Sequence, residues 1–147
     1  MNKTFRNIVL IILVIGMIGL VTGYFMWNKP HLDVAKADAT AVEAAALYAS
    51  FSKDSASAKK QYQEKVLLVS GKVNGSIYNQ QQQQVITLET GIPEAFVNCT
   101  MEKAAGTVSA GSNITIRGIC SGMGQGDPDM GIMGDLYMTR CISSDTK

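Results

Sequence analysis

The side chains with the most chemical potential in this chain are three cysteines, one histidine and a close pair of aspartates. Cys99, Cys120 and Cys141 have the makings of a disulfide, a soft-metal site or a nucleophile. No two of them stand in C-x-x-C spacing, and the single histidine, His31, falls in a polar spacer, so zinc lacks its usual ligand set. A Ser-His-Asp or Cys-His arrangement would need His31 to fold back onto the rest of the chain. Asp127 and Asp129 flank Pro128 in a glycine-rich loop, where acids serve as exposed turn formers. The stretch DPDMG opens like a calcium loop but lacks the later ligands and the distal glutamate. GMGQGD has glycines for close backbone approach, without the Gly-Lys-Ser/Thr that holds phosphates. Met123, Met130, Met133 and Met138 read as loop and core packing before they read as a soft-metal site. The residues argue against an enzyme and call for no cofactor or metal.

The elements that must position these groups follow from periodicity. Residues 39–63 read as a helical region, with Thr40 as cap and Glu43 completing a capping box. Ala44, Leu47, Tyr48 and Phe51 recur at i, i+3, i+4 and i+7, and the stripe resumes through Ala58 and Tyr62 after a break near Asp54-Ser55. A helix this short needs that face buried, so its aromatics are packing residues. From Glu64 onward, alternation replaces the helical period. Lys65–Asn74 is a strand with Leu67, Val69 and Val73 on one face, and Gly71 in phase with them marks a bend where a sheet curls. Gln84–Glu89, Ala95–Met101, Asn113–Cys120 and Leu136–Ile142 follow as strands, the last slipping register near Arg140. Asn79–Gln84 (NQQQQQ) reads as a solvated hairpin tip, and SGMGQGDPDMGIMGD as a long flexible loop between the last two strands. Five such strands imply a small barrel or sandwich.

That pattern bears on the cysteines. Cys99 shares the core phase of its strand and reads as a buried thiol. Cys120 ends the fourth strand and Cys141 the fifth, so a hairpin around the long loop would set them face to face. A Cys120–Cys141 bridge is expected, worth about 3 kcal/mol, with Cys99–Cys141 as the rival pairing.

Ahead of the fold, Ile8–Trp27 (IVLIILVIGMIGLVTGYFMW) is an uncharged run of twenty residues. As a helix it would cover about 30 Å, the thickness of a bilayer's hydrocarbon core. Lys3 and Arg6 precede it while only Lys29 follows closely, which favours a cytoplasmic N-terminus, and Tyr24 and Trp27 sit where interfacial aromatics anchor a helix. A cleaved signal peptide is the competing reading, but the run ends in Tyr-Phe-Met-Trp with no A-x-A-like site, and no cysteine lies near it to accept a lipid. The expected division is a cytoplasmic N-terminus (1–7), a transmembrane helix (8–27), a spacer (28–38), a helical region (39–63) and a barrel (64–147). The expected location is the bacterial cytoplasmic (inner) membrane, crossed once, with the C-terminal domain outside.

Composition agrees with a folded, tethered domain. The chain is 46% hydrophobic and 17% charged, outside the range of disordered segments. Its net charge of +1 divides into +2 over residues 1–27 and −1 over the rest. A nearly neutral domain is poor material for neutralising phosphates, so general nucleic-acid binding is disfavoured.

The order and spacing of LYASFSKDSASAKKQY, EKVLLVSGKV, FVNC, GSNITIRGICSG and LYMTRC resemble the bacterial OB-fold family described as tRNA-anticodon-binding-like (tRNA_anti-like), whose members are often held at a membrane. The resemblance runs over about residues 40–142 and implies a mainly β fold: a five-stranded OB-type barrel preceded by a short helical region. The glutamine tract and the Gly-Met-Asp loop look like insertions at the two connections many OB folds use for binding, so a ligand preference transfers poorly. OB folds grip single strands by stacking bases on aromatics in a positive groove. The outward positions of the second and third strands are Val85, Thr87, Glu89, Phe96, Asn98, Thr100 and Glu102: one aromatic, two acids and no cation. Tyr78 and Tyr137 add stacking surface at the rims, while Lys72, Arg117 and Arg140 make a separate basic patch. Tyr78, Phe96, Asn98, Tyr137 and Arg117 are the candidate binding residues. The expected function is a non-enzymatic binding module for an envelope protein, peptide or glycan, with single-stranded nucleic acid as the alternative.

Overall fold

The computed structural model describes residues 3–27, 34–130 and 132–144. They fall into two units, one ending at Asp33 and one beginning at Val34. The spacer's residues 28–33, His31 among them, lie outside the described residues.

The first unit is one α-helix, α1 (Lys3–Trp27), of 25 residues, about 37 Å long at the usual rise. Its described large apolar side chains are exposed, from 50% at Val21 to 77% at Leu20. Among the described residues no helix is long and apolar enough to cross a membrane. The described side chains of α1 are continuous only from Leu10 to Tyr24, and it is the sequence that extends the apolar run through Ile8, Val9, Phe25 and Trp27.

The second unit contains β1 (Thr40–Glu43), α2 (Ala44–Lys53), α3 (Ser55–Tyr62), β2 (Val66–Tyr78), β3 (Gln84–Glu89), β4 (Phe96–Met101), β5 (Asn113–Met123) and β6 (Leu136–Ser143). Strands β2-β3-β4-β6-β5 close through a β5–β2 pairing into a five-stranded barrel. All its pairings are antiparallel except β4–β6. This is the mainly β barrel that the alternation calls for. β2 serves two neighbours because it bends: Val66–Lys72 pairs with β5, and Val73–Tyr78 with β3. Gly71 sits at the changeover, where a Cβ would lie 3.0 Å from the Ala44 Cβ of α2. Its missing side chain lets the helix approach the bend.

Alternation sets the interior. Ile86 and Leu88 of β3, Val97, Cys99 and Met101 of β4, Ile116 and Cys120 of β5, and Leu136, Met138 and Cys141 of β6 are all buried. α2 packs on β2, β3 and β4 and buries the expected face of Ala44, Leu47, Tyr48 and Phe51 in the same core. The break falls where the sequence places it. Asp54 caps α3, its Oδ1 accepting from the Ser57 N–H at 3.1 Å and its Oδ2 from the Ser57 hydroxyl at 2.6 Å.

Four readings are corrected. Thr40 does not cap a helix: Thr40–Glu43 pairs parallel with Leu67–Ser70 as β1, and α2 begins after Glu43 without a side-chain cap. An available sheet edge outcompetes the local capping signal. Gln84, read both as the end of the solvated tip and as the start of a strand, is only the second: it begins β3 and is 3% exposed. The long loop is folded, for Asp127 and Ile132 exchange backbone hydrogen bonds at 2.9 Å each way, and Tyr48 donates its hydroxyl to the Gly134 carbonyl at 2.9 Å. Finally, Cys120 and Cys141 are not paired, and all three cysteines are free and buried. Cys120 stands opposite Met138. Arg140, at φ 52°, marks the anticipated slip, and beyond it Cys141 lies opposite Met101 of β4. With Cys120 already opposite Met138, the extra residue turns Cys141 into the interior against Gly118, two positions along β5 from Cys120.

Candidate binding face

The outer face of β3, β4 and β6 is organised in cross-strand rows. One row runs Gly75–Thr87–Asn98–Tyr137. A second runs Ile77–Val85–Thr100, and a third holds Glu89 and Phe96. The middle of the face is fixed by hydrogen bonds. Asn98 accepts from the Thr87 hydroxyl at 3.2 Å and donates its Nδ2 to Asp135 Oδ2 at 2.8 Å. The other oxygen of Asp135 accepts from the Phe96 N–H at 3.0 Å, so one carboxylate sets both the start of β4 and the amide at its centre. Tyr137, 46% exposed, lies over Gly124, where a Cβ would stand 2.9 Å from the ring's Cε2. Next to Phe96 a hollow of about 230 Å³ opens along Asn74 and the Thr90–Glu94 turn.

The structure therefore brings together Phe96, Asn98 and Tyr137. It separates the other two expected residues from them. Tyr78 is exposed at the end of β2 but pairs with Gln84, in the phase of the barrel interior. Arg117 is engaged elsewhere: its Nη1 donates to the carbonyls of Val34 at 3.3 Å, Ala35 at 3.0 Å and Ala37 at 2.9 Å, binding the segment before β1 to β5. Sequence reasoning missed Asp135, whose role depends on the parallel β4–β6 pairing. It also missed Ile77, 64% exposed. A bulge between Val73 and Gly75 shifts the phase of β2 and moves Ile77 to the outer face. Asn74-Gly75 was the available signal.

Each cation of the expected basic patch has a partner. Lys72 pairs with Glu89 at 3.4 Å, Arg140 with Glu102 at 3.5 Å, and Arg117 is held by carbonyls. The two loops bordering the face are tied down by their own side chains. Asn79 Oδ1 accepts from the N–H groups of Gln81 and Gln83, each at 2.9 Å. Asp127 Oδ1 accepts from those of Asp129 at 3.1 Å and Met130 at 3.3 Å, the turn-forming use its sequence context anticipates. Among the described residues no group of three His, Cys, Asp or Glu is placed to hold a metal ion.

The family model described as tRNA_anti-like matches residues 1–129. The chain belongs to the tRNA_anti-like family. No curated protein matches it. Among solved structures it is similar to one assigned as an aspartyl-tRNA synthetase from Leishmania major Friedlin, at 8% identity and a TM-score of 0.44, over 87% of this chain and 26% of that one. In this tRNA_anti-like protein the β2–β3 tip and the β5–β6 loop flank the Asn98–Tyr137 row. Exposed Ile77, Met130, Ile132 and Met133 make their margins apolar and not basic.

Proposed function

We propose that this protein is a membrane-tethered, non-catalytic binding module. Its barrel works on the outer side of a bacterial cytoplasmic membrane and docks an envelope protein, peptide or glycan on the face built by Phe96, Asn98 and Tyr137. The observation that carries the reading is the character of that face: a half-exposed aromatic beside a fixed amide, with Lys72 and Arg140 each in an ion pair. Such a surface recognises neutral or weakly charged partners through stacking and directed hydrogen bonds, not through phosphate neutralisation.

The tether rests on the uncharged run Ile8–Trp27 and on the cations Lys3 and Arg6 before it. The Thr22 hydroxyl of that run is satisfied within α1, since its Oγ1 donates to the Ile18 carbonyl at 2.8 Å. Internal satisfaction is what hydrocarbon requires of a polar group.

Single-stranded nucleic acid is the second reading, favoured by the family and by the place of Phe96 and Tyr137 on an OB-type face. Full-length protein in nanodiscs, titrated with a fluorescent single-stranded oligonucleotide at about 50 and 200 mM salt, separates the two. No binding at either salt is expected. Tight binding that collapses at the higher salt and is lost in Y137A would establish the nucleic-acid reading instead.

A further inference from the structure

The hollow of about 230 Å³ beside Phe96 combines apolar walls with unbalanced negative charge. It is lined by Ile92, Pro93 and Phe96 together with Asn74, Glu89 and Glu94, and among the described residues no cation lines it. It is smaller than the about 300–1,000 Å³ typical of small-molecule sites, and has room for one long side chain. The turn that forms it is set by Thr90, 5% exposed. The Thr90 hydroxyl donates to the Ala95 carbonyl at 2.6 Å and accepts from the Ile92 N–H at 3.3 Å, so the hollow is formed before a partner arrives. On the other side of Glu89 a hollow of about 560 Å³ has Glu43 and Lys72 in its lining, and Lys72 pairs with Glu89 at 3.4 Å. Across the two hollows three carboxylates, of Glu43, Glu89 and Glu94, stand against one ammonium, that of Lys72.

We infer that the hollow beside Phe96 receives one arginine side chain of a protein or peptide partner. This rests on the reading of the face as a docking surface, and it narrows the partner to a polypeptide. Charge complementarity selects a cation, and the apolar walls select one carried on an aliphatic stem. The stem lies along Ile92 and Pro93 while the guanidinium stacks on Phe96 and meets the carboxylates of Glu94 and Glu89. Arginine fits better than lysine because its planar fork can stack on a ring and bond a carboxylate at once. The same excess of carboxylates repels phosphate and gives an uncharged sugar no ion pair to make.

The test is an NMR titration of isotope-labelled full-length protein in zwitterionic detergent micelles at about 50 mM salt. The probes are the acetylated, amidated peptide Gly-Ser-Arg-Ser-Gly and its counterpart with neutral citrulline in place of arginine. The arginine peptide should shift the amides of Gly91, Ile92, Glu94 and Phe96 with a Kd of about 1–5 mM, and the citrulline peptide should bind at least about fivefold more weakly. E94G and F96L should each weaken the arginine peptide about threefold or more. Glu94 has φ 58°, where glycine relieves a left-handed backbone, so E94G removes the carboxylate without weakening the fold. F96L keeps an apolar wall and removes the ring. Equal shifts with both peptides, shifts away from this turn, or none by about 10 mM would overturn the inference. Such a failure leaves the docking face standing while the oligonucleotide stays unbound, whereas salt-sensitive oligonucleotide capture lost in Y137A removes both.

Discussion

Asn98 of β4 hands its amide N–H to the carboxylate of Asp135 at 2.8 Å, and the same carboxylate receives the Phe96 N–H at 3.0 Å. One acid at the mouth of the β5–β6 loop thus orients the centre of the binding face and pins the strand that carries it. Replacing it with alanine strands two donors. D135A should lower stability by about 1–2 kcal/mol, read from the denaturant midpoint, and should speed hydrogen exchange at the Phe96 amide. D135N keeps the shape but turns one acceptor into a donor facing the Asn98 amide, so it should recover only part of the loss. Wild-type exchange at Phe96 in D135A would rule this role out.

The glutamine tract divides at its last residue. Gln84 donates its Nε2 to Ser76 Oγ and to the Gly106 carbonyl, each at 2.9 Å, and accepts from the Ala105 N–H at 2.7 Å. It ties the β4–β5 connection to the barrel end from a site 3% exposed. Q84A should cost about 2–3 kcal/mol because it leaves buried partners unpaired. Gln82, exposed on the tip at φ 59°, behaves oppositely, for glycine relieves a left-handed conformation there. Q82G should change stability by less than about 0.5 kcal/mol. Equal thermal melts for Q84A and Q82G would contradict the division.

Much of this architecture was legible because it is periodic. The buried face of α2 and the limits of β3 come straight from the 3.6 and 2.0 repeats. The failures share a cause in pairings between distant residues. β1 looked like a helix cap because nothing local announces a free edge on β2 some 27 residues later. Nothing local announces the three carbonyl partners of Arg117, which lie at least 80 positions away. Two bulges, at Asn74-Gly75 and at Arg140, then changed which side chains face out. One moved Ile77 onto the face, and the other turned Cys141 into the interior against Gly118. Of the candidate site, Phe96, Asn98 and Tyr137 were legible as outward phases of strands. Asp135 was not, since a loop acid becomes part of a sheet face only through the parallel β4–β6 contact.

Asp54 gives the helical region a pH dependence of known sign. Hydrogen bonds from the Ser57 hydroxyl and then its N–H hold the carboxyl below its ordinary value of 3.8. A depressed pKa in the folded state means that the carboxylate's contribution is present above that value and fades as pH falls through the folded pKa. The stability gap between wild type and D54A should therefore be constant from neutral pH down to about 5 and shrink below about 4. D54N, which keeps a capping acceptor but no charge, should show no such shrinkage. Urea titrations of the three proteins at stepped pH decide it, and a gap that widens in acid would reverse the sign.

Gly118 and Cys141 provide the sharpest test of the barrel's packing. A Cβ at position 118 would lie 2.5 Å from Cys141 Sγ, 3.3 Å from the Cys141 Cα and 3.3 Å from the Met138 Cε. The first contact involves the sulfur alone, so the strain of G118A should depend on what occupies position 141. G118A by itself should destabilise by about 1–3 kcal/mol through overpacking. C141A by itself should cost about 1–2 kcal/mol through the cavity left by its buried sulfur. In the double variant the new methyl enters the vacated space, and only the milder contacts with Cα and Met138 remain. The combined loss should then fall short of the sum by at least about 1 kcal/mol, a coupling that a double-mutant cycle under reducing conditions measures directly. Strict additivity would mean that Cys141 does not occupy the groove that Gly118 leaves open.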